Sequence, residues 1–403
     1  MEKRVYIISS GDIAGSKTAG AQRVQKIARS LAHGNITVYL CSLGNIQKPP
    51  LNMRELFPGV YALTGSNYPD TSKRKLIPFL KYLNIFIKSD TSESIIYLYP
   101  TTFIRNDFIY LIYFKFIKKY SFFCEINELR RTNAFSLHPY KKFPGKQLAN
   151  LKVFYDYVAY WLSEYQAPFY DGIVVISRNL EYYFTRFNNN IIRIPILCDS
   201  ELIKRKRPVL RYDGNIFKIG FAGSINSRKE GFKLFFEALA LVNKKHNVQL
   251  YLYGNLLEKD RIELNDLATE YFLHEKVFYV GNFEPDRLPD ELAGYHLLAL
   301  PRPLTAQTKY GFSTKLSEYL VSGVPILLTD VSDNSLYFRD GYNAYIISGN
   351  SAESLADKIS VIMHNYNNNA DFIVEQAFET ARNDFDYRLF SHVLINFFFN
   401  TSI

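Results

Sequence analysis

The strongest constraint on the fold of this chain is a repeated alternation of short apolar segments with amphipathic ones. The apolar segments are rich in β-branched side chains, and the segments that follow them carry apolar residues at helical spacing. Short strands that are apolar along their whole length are typical of a parallel sheet covered by helices on both faces. In the first half, strands are predicted at residues 3–9, 35–42, 94–99, 121–126 and 172–177.

The alternation restarts after residue 200, behind a stretch (residues 190–208) that is interpreted as a linker. The 403 residues are too many for one ordinary core and fit two domains of about 200 residues. We therefore predict an α/β fold of two doubly wound, Rossmann-like halves, with ligands in the cleft between them, beyond the carboxyl ends of the strands. Strands are predicted at residues 217–222, 247–254, 277–280, 296–300, 325–329 and 344–347, and helices at 231–242, 261–271, 314–322, 355–365, 372–382 and 388–399.

Composition excludes several classes of protein. A hydrophobic content of 47% excludes a disordered chain. The widely spaced cysteines Cys41, Cys124 and Cys198 exclude a disulfide framework and fit a reducing compartment. No stretch reaches the ~18 apolar residues of a membrane span. The sequence therefore predicts a cytoplasmic protein, or one that only touches a membrane. Since there is no His/Cys cluster and no DxD motif, it implies no metal and no cofactor.

Charge is unevenly shared between the halves. Residues 1–200 hold 26 Lys and Arg against 14 Asp and Glu, whereas residues 201–403 hold 22 against 25. A solvated basic face explains this, or else the first half faces anionic phospholipid or a lipid-linked diphosphate. Residues 73–88 and 107–120 mix cations with apolar side chains, which indicates either segments at an anionic membrane surface or buried helices with basic ends. No motif suggests nucleic acid.

Three loops are candidates for phosphate binding. Residues 9–22 carry glycines between a strand and a helix, without the spacing of a dinucleotide or Walker loop, and are either an anion-binding helix start or an ordinary turn. In residues 220–232, Arg228 and Lys229 precede a helix and suit a diphosphate. In residues 300–330, Ser313 or Thr314 caps a helix that places Glu318 on the same face as Thr314, unless Glu318 is simply a solvated carboxylate.

The motifs of the second half, taken in order, resemble family 4 retaining glycosyltransferases with the GT-B fold. The segments that carry the resemblance are GFAGSINSRKEGF, VQLYLYGN, VFYVGNFEPDRLPDELAGYHLLALPRP and KLSEYLVSGVPILLTD. The match covers residues 217–350 well and residues 1–200 loosely. It implies an acceptor-side domain at 1–200, a donor domain at 201–385, and a final helix at 386–403 that packs back towards the first domain.

The resemblance also implies roles for individual residues toward a nucleoside-diphosphate sugar. Glu318 matches the glutamate that binds ribose hydroxyls, whereas Tyr310 stands where the family has its first glutamate. Ser224 stands where many members have an arginine. Residues implied to approach the donor are Gly20, Ala21, Gly223, Ser224, Arg228, Lys229, Asn282, Phe283, Ser313, Thr314 and Lys315.

Carboxylates at the end of the predicted strand 121–126 are candidates for acid/base work. Glu128 and Glu125 would orient or deprotonate an acceptor hydroxyl, an effect of about 10²–10⁴-fold. Alternatively, Glu128 pairs with Arg130 or Arg131. With Glu318, these two glutamates form the predicted catalytic set.

The expected activity is transfer of a hexose to a lipid-linked glycan in cell-surface polysaccharide synthesis, on the inner face of the membrane. Tyr310 and Ser224 leave open a second hypothesis, a binding or scaffold protein that has the fold without catalysis. A dehydrogenase with two nucleotide-binding halves is a third, and it lacks the glycine fingerprint.

Overall fold

The computed structural model describes residues 2–16, 18–43, 51–64, 76–89, 92–100, 104–133, 145–205, 208–282, 288–347, 349 and 351–399. The chain divides into two compact units. Unit 1 comprises Met1–Leu197 together with Tyr387–Ile403, and unit 2 comprises Cys198–Asp386.

Unit 1 is built on a sheet of eight strands in the order β3-β4-β2-β1-β5-β6-β7-β8. Neighbouring strands are parallel except β3 and β4, which form an antiparallel hairpin. The order of connection reverses between β1 and β5, the type of position at which open α/β sheets bind ligands. The strands are β1 (Lys3–Ser9), β2 (Thr37–Ser42), β3 (Asn52–Phe57), β4 (Val60–Thr64), β5 (Glu93–Leu98), β6 (Ser121–Ile126), β7 (Gly172–Val175) and β8 (Ile191–Arg193).

The described part of unit 1 contains five helices before residue 198. The first begins behind Thr18, whose side chain accepts a hydrogen bond from the Ala21 amide, and it buries Val24, Ile27 and Leu31 along one face. The third continues to Ile117 in π-helical geometry. The helices are α1 (Ala19–His33), α2 (Leu76–Lys88), α3 (Ile104–Tyr110), α4 (Gly145–Glu164) and α5 (Arg178–Phe184).

Unit 2 has a parallel sheet of six strands in the order β11-β10-β9-β12-β13-β14, with its own reversal between β9 and β12. Its strands are β9 (Phe217–Ala222), β10 (Val248–Tyr253), β11 (Val277–Gly281), β12 (Leu297–Leu300), β13 (Ile326–Thr329) and β14 (Tyr345–Ile347). Its helices are α6 (Ser227–Glu230), α7 (Phe232–Val242), α8 (Glu258–Glu270), α9 (Leu288–Leu292), α10 (Ala306–Tyr310), α11 (Leu316–Tyr319), α12 (Asn334–Tyr337) and α13 (Ala352–Thr380).

The chain leaves unit 2 close to where it enters it. The Cys198 amide donates to the Phe385 carbonyl at 2.8 Å, and the Ser200 amide donates to the Asp386 carboxylate at 2.9 Å. The final helix, α14 (Ser391–Phe399), then packs within unit 1, where Leu394 and Phe398 join the core.

Several elements differ from the sequence-based expectation. The hairpin β3–β4 and helix α4 were not predicted, and the segment interpreted as a linker contains β8. The helices expected at 355–365 and 372–382 are one helix, α13, because the asparagines between them lie on its exposed face while Tyr366 and Ala370 continue its buried face. The helix expected at 314–322 is the single turn α11.

Candidate functional site

The strongest candidate site lies at the carboxyl edge of the sheet of unit 2. Gly223 follows β9, Gly254 follows β10, and Arg302 lies just beyond β12. Because the strand order reverses between β9 and β12, the loops that follow these two strands diverge and leave a crevice at this edge.

The loop after β9 is shaped by two glycines with positive φ. Gly254 (φ +125°) approaches the backbone so closely that an added Cβ would lie 2.0 Å from the Gly223 carbonyl oxygen. Gly223 (φ +134°) in turn supports the stem of Lys315, whose Cε would be 2.1 Å from a Cβ at that position. Both positions therefore require glycine, and the Lys315 side chain lies directly against the loop.

A buried cluster of charges lies behind this loop. The carboxylate of Glu230, 1% exposed, accepts hydrogen bonds from Arg302 Nε and Nη2, each at 2.9 Å. It also accepts a hydrogen bond from Lys315 Nζ at 2.7 Å. The two-pronged contact with arginine fixes the orientation of the carboxylate.

The protonation equilibria of this cluster are strongly perturbed. Burial alone would raise the pKa of Glu230, but the charges of Arg302 and Lys315 outweigh it and lower the pKa to about 2. The pKa of Lys315 is lowered to about 8, mainly by burial and in addition by the positive charges of Arg302 and Lys229, while the attraction of Glu230 opposes the shift. Two cations thus share one buried carboxylate, with a third cation close by, so an anion would stabilise the cluster.

The segment that carries Lys315 is anchored to the end of β9. The hydroxyl of the buried Tyr319 accepts a hydrogen bond from the Ala222 amide at 2.8 Å. Within the same segment, the Oγ of Ser313 is buried and has no hydrogen-bond partner among the described residues. Thr314 and Glu318 are half-buried. The segment therefore presents the hydroxyl of Ser313, the ammonium of Lys315 and the carboxylate of Glu318 within six residues of chain.

Unit 1 has its own polar cluster at the reversal between β1 and β5. The Tyr99 hydroxyl, which follows β5, accepts a hydrogen bond from Asn127 Nδ2 at 3.2 Å, and burial raises the pKa of Tyr99 to about 12. An added Cβ at Gly20 would lie 2.4 Å from this hydroxyl, so a larger residue at the start of α1 would require the Tyr99 side chain to shift. The Ala21 amide is already bonded to Thr18 Oγ1.

Glu125 lies in the interior of unit 1. It is 1% exposed, forms a 2.7 Å ion pair with Arg23 Nε, and accepts a hydrogen bond from the Tyr97 hydroxyl. The same guanidinium donates to the carbonyls of Ile194 and Pro195 at 2.8 and 2.6 Å. Both carboxylate oxygens are therefore engaged, which favours a structural role for Glu125 over the acid/base role that the sequence suggested.

Glu128 is half-buried beyond β6. Of the two arginines considered as its partners, Arg130 donates to Asp107 at 3.0 Å and Arg131 lies 3.5 Å from Glu164, while Glu128 itself also interacts with another residue. Of the two carboxylates predicted near the acceptor, Glu128 is the more accessible and remains the candidate for acid/base work.

The remaining predicted donor residues are placed less distinctively. Ser224 and Asn282 are exposed at the ends of β9 and β11, and Arg228 lies in α6 beside Lys229. Phe283 lies outside the described residues. Among the described residues, no group of three or more His, Cys, Asp or Glu side chains is placed to hold a metal ion.

Sequence reasoning missed Glu230 and Arg302. Arg302 could have been found, because it stands between two prolines just past a predicted strand. Glu230 gave no such signal, because its partners lie 72 and 85 residues further along the chain.

Comparison with known proteins places the fold. Residues 203–378 match the model of the family described as glycosyl transferases group 1. No curated protein matches the chain. Among the described residues, no helix is both long and apolar enough to cross a bilayer.

Solved structures resemble the whole chain. Sucrose-phosphate synthase from Thermosynechococcus elongatus is 14% identical, with a TM-score of 0.69 over 98% of this chain and 97% of that one. Alr3699/HepE from Anabaena, in complex with UDP and glucose, is 16% identical, with a TM-score of 0.64 over 98% and 99%. A glycosyltransferase from Rickettsia africae is 13% identical, with a TM-score of 0.66 over 99% and 100%.

These likenesses confirm the expected two-part α/β architecture, and the family match confirms the expectation of a glycosyltransferase. The chain therefore has the GT-B fold of glycosyltransferases, and its residues 203–378 match the glycosyl transferases group 1 family.

Proposed function

We propose that this protein is a family 4 type, retaining hexosyltransferase that takes its sugar from a nucleoside-diphosphate donor. The observation that carries the proposal is the buried cluster of Arg302, Glu230 and Lys315, with Lys229 beside it, at the switch point of the sheet of unit 2. A diphosphate supplies the anionic charge that this cluster favours, at the place where sheets of this type bind ligands.

Within this proposal, each part of the donor meets a different group. Lys229, Lys315 and the Ser313 hydroxyl bind the diphosphate, and Glu318 binds the ribose hydroxyls. The lysines and the guanidinium of Arg302 stabilise the charge that develops on the leaving diphosphate, so the proposed mechanism uses no metal. The backbone after Gly223 and the side chain of Asn282 complete the donor site.

Unit 1 is proposed to serve the acceptor, a lipid-linked glycan of the cell surface. Glu128 orients or deprotonates the acceptor hydroxyl. The surplus of Lys and Arg over Asp and Glu in residues 1–200 supports an anionic partner, and peripheral contact with the inner face of the membrane follows from it.

Donor binding is tested by thermal shift with a panel of nucleoside diphosphates and their sugars. A cognate ligand at ~100 times its dissociation constant stabilises the folded state by ~2.7 kcal/mol. The nucleoside diphosphates that carry one particular base are therefore expected to raise the melting temperature, and the nucleoside of that base, which has no phosphate, is expected to raise it far less. Ligands that bind are then assayed for transfer. No response to any nucleoside diphosphate would overturn the proposal, and binding without turnover would favour the scaffold hypothesis.

The affinity for UDP, the nucleotide in the HepE structure, is expected to fall as pH rises above about 8. Lys315 has a lowered pKa of about 8 in the free protein, and a bound diphosphate raises it. Well below pH 8 the ammonium is charged in both states, so Lys315 adds no pH dependence to the affinity. Above pH 8 binding must take up a proton, which weakens affinity by up to about tenfold per pH unit.

Calorimetric titrations between pH 7 and 9.5 measure this dependence. Lys315→Arg is the matched control, because guanidinium remains charged throughout, and comparison with it cancels any titration of the nucleotide itself. Parallel pH profiles of the two proteins would contradict the assignment of Lys315 to the diphosphate.

A further inference from the structure

A second site lies in unit 1, in a groove of ≈ 840 Å³ that the donor proposal does not use. Its walls come from the start of α3, from α4, and from the residues that follow α4. Most of the lining is aromatic or aliphatic. The lining residues that matter here are Arg105, Asn106, Phe108, Leu162, Tyr165 and Phe169.

The apolar walls of the groove are open to solvent. Phe108, Leu162, Tyr165 and Phe169 are each between 49% and 54% exposed. An exposed apolar patch that is also concave is typical of a binding surface rather than of an ordinary protein exterior. The groove has the size of sites that take a small molecule or one chain of a larger one.

One end of the groove is polar and reaches the switch point of unit 1. Asn106, which lines the groove, donates from Nδ2 to Ser10 Oγ at 3.1 Å, and Ser10 follows β1. Asn106 thus links the apolar walls to the edge of the sheet, where Tyr99 and Asn127 also lie.

A cation lines the groove next to Asn106 in the chain. Arg105 lines the groove, is exposed, and forms no ion pair or hydrogen bond with any residue in the described part of the chain. The acidic residue of the lining, Asp156, is already engaged by another residue. The positive charge of Arg105 is therefore available to an anion bound beside the apolar walls.

We propose that this groove binds an isoprenoid phosphate, with the chain against Phe108, Leu162 and Phe169 and the phosphate on Arg105. The inference rests on the proposed function, because it makes this lipid the carrier of the acceptor glycan. The combination of apolar walls, one available guanidinium and a polar end near the switch point matches an amphiphile with a single anionic head.

Trp161 is the only tryptophan of the chain and reports on the groove. Its ring packs edge-to-face on Tyr165, with the centroids 5.3 Å apart. Titration of the full-length protein with farnesyl phosphate is expected to shift the emission of Trp161 to shorter wavelength and to saturate. Farnesol is expected to bind at least fivefold more weakly, and inorganic phosphate to leave the emission unchanged.

Variants separate the apolar from the anionic contribution. Leu162→Asp is expected to weaken the binding of both lipids at least tenfold. Arg105→Gln is expected to lower the affinity for farnesyl phosphate to that for farnesol and to leave the affinity for farnesol unchanged. Tyr182→Asp is the matched control, since Tyr182 is 85% exposed on α5 outside the groove, and it is expected to bind both lipids normally.

The donor panel on the same proteins separates this inference from the proposed function. If Leu162→Asp binds donors as strongly as wild type but no longer binds the lipid, the proposal that the groove binds the lipid is supported. If wild type binds donors but farnesyl phosphate gives no saturable change, or if Leu162→Asp binds it normally, the groove inference fails alone. Binding only to vesicles of anionic phospholipid, or self-association abolished by Leu162→Asp without lipid binding, would also overturn it.

Discussion

Replacing Glu230 by alanine is expected to lower the free energy of unfolding of unit 2 by about 3–5 kcal/mol. The substitution leaves the buried cations Arg302 and Lys315 facing each other without the carboxylate that both contact. Removal of one partner from a buried ion pair is costly because the remaining charge is neither solvated nor paired. Urea denaturation of the full chain measures the change, with hydrogen exchange of the β9 amides reporting on unit 2.

Acid dependence provides a second measurement of the same interaction. The pKa of Glu230 is about 2 when folded and 4.5 as its ordinary value, so its stabilisation is fully present above pH 4.5 and is lost as pH falls towards 2. The difference corresponds to about 3 kcal/mol. Glu230→Gln is expected to remove this part of the acid dependence.

The matched control is Glu258→Gln. Glu258 also pairs with an arginine, Arg261, at 3.5 Å, but both side chains are more than half exposed. Exposed pairs contribute about 0–1 kcal/mol, so this variant is expected to unfold like wild type. Equal effects of the two substitutions would show that Glu230 is not the centre of a buried cluster.

The sequence predicts those parts of the fold that follow from local patterns. The central strands were found because each is a short and mostly apolar run, fully buried in β13 and buried except at Lys218 in β9. The hairpin partner β3 has no such run, since its first four residues are exposed. Helix α4 has no single apolar stripe because Leu162 and Tyr155 face the groove rather than the core.

The site was predictable to the extent that its residues follow strands. Lys229 and Lys315 were identified from cations and small residues in loops after predicted strands, as doubly wound sheets require. The cluster that holds them depends on contacts between residues far apart in sequence, which no local pattern encodes. A carboxylate next to Lys229 looks unfavourable for a phosphate site until Arg302 is seen to balance it.

Replacing Lys229 by alanine is expected to lower kcat/KM for transfer about 10²–10³-fold, the range for removal of one group that stabilises developing charge. Folding stability is expected to stay the same or to rise slightly, because the positive charge of Lys229 lowers the pKa of Lys315 and so disfavours its charged form. Activity is therefore expected to fall without any loss of stability, which a structural role for Lys229 would not produce. Steady-state kinetics and a melting curve on the same protein measure both.

The control for Lys229 is Lys233→Ala, one turn further along the chain on the exposed face of α7, where no loss of activity is expected.

Glu318→Ala is expected to raise KM for the donor about 10–100-fold, since a charged group that bonds ribose hydroxyls contributes about 1.5–3 kcal/mol. Its effect on kcat is expected to be small, because ribose does not change during transfer and its contacts stabilise ground and transition states alike. A loss confined to kcat in Glu318→Ala, or wild-type turnover in Lys229→Ala, would move the donor away from the crevice between β9 and β12.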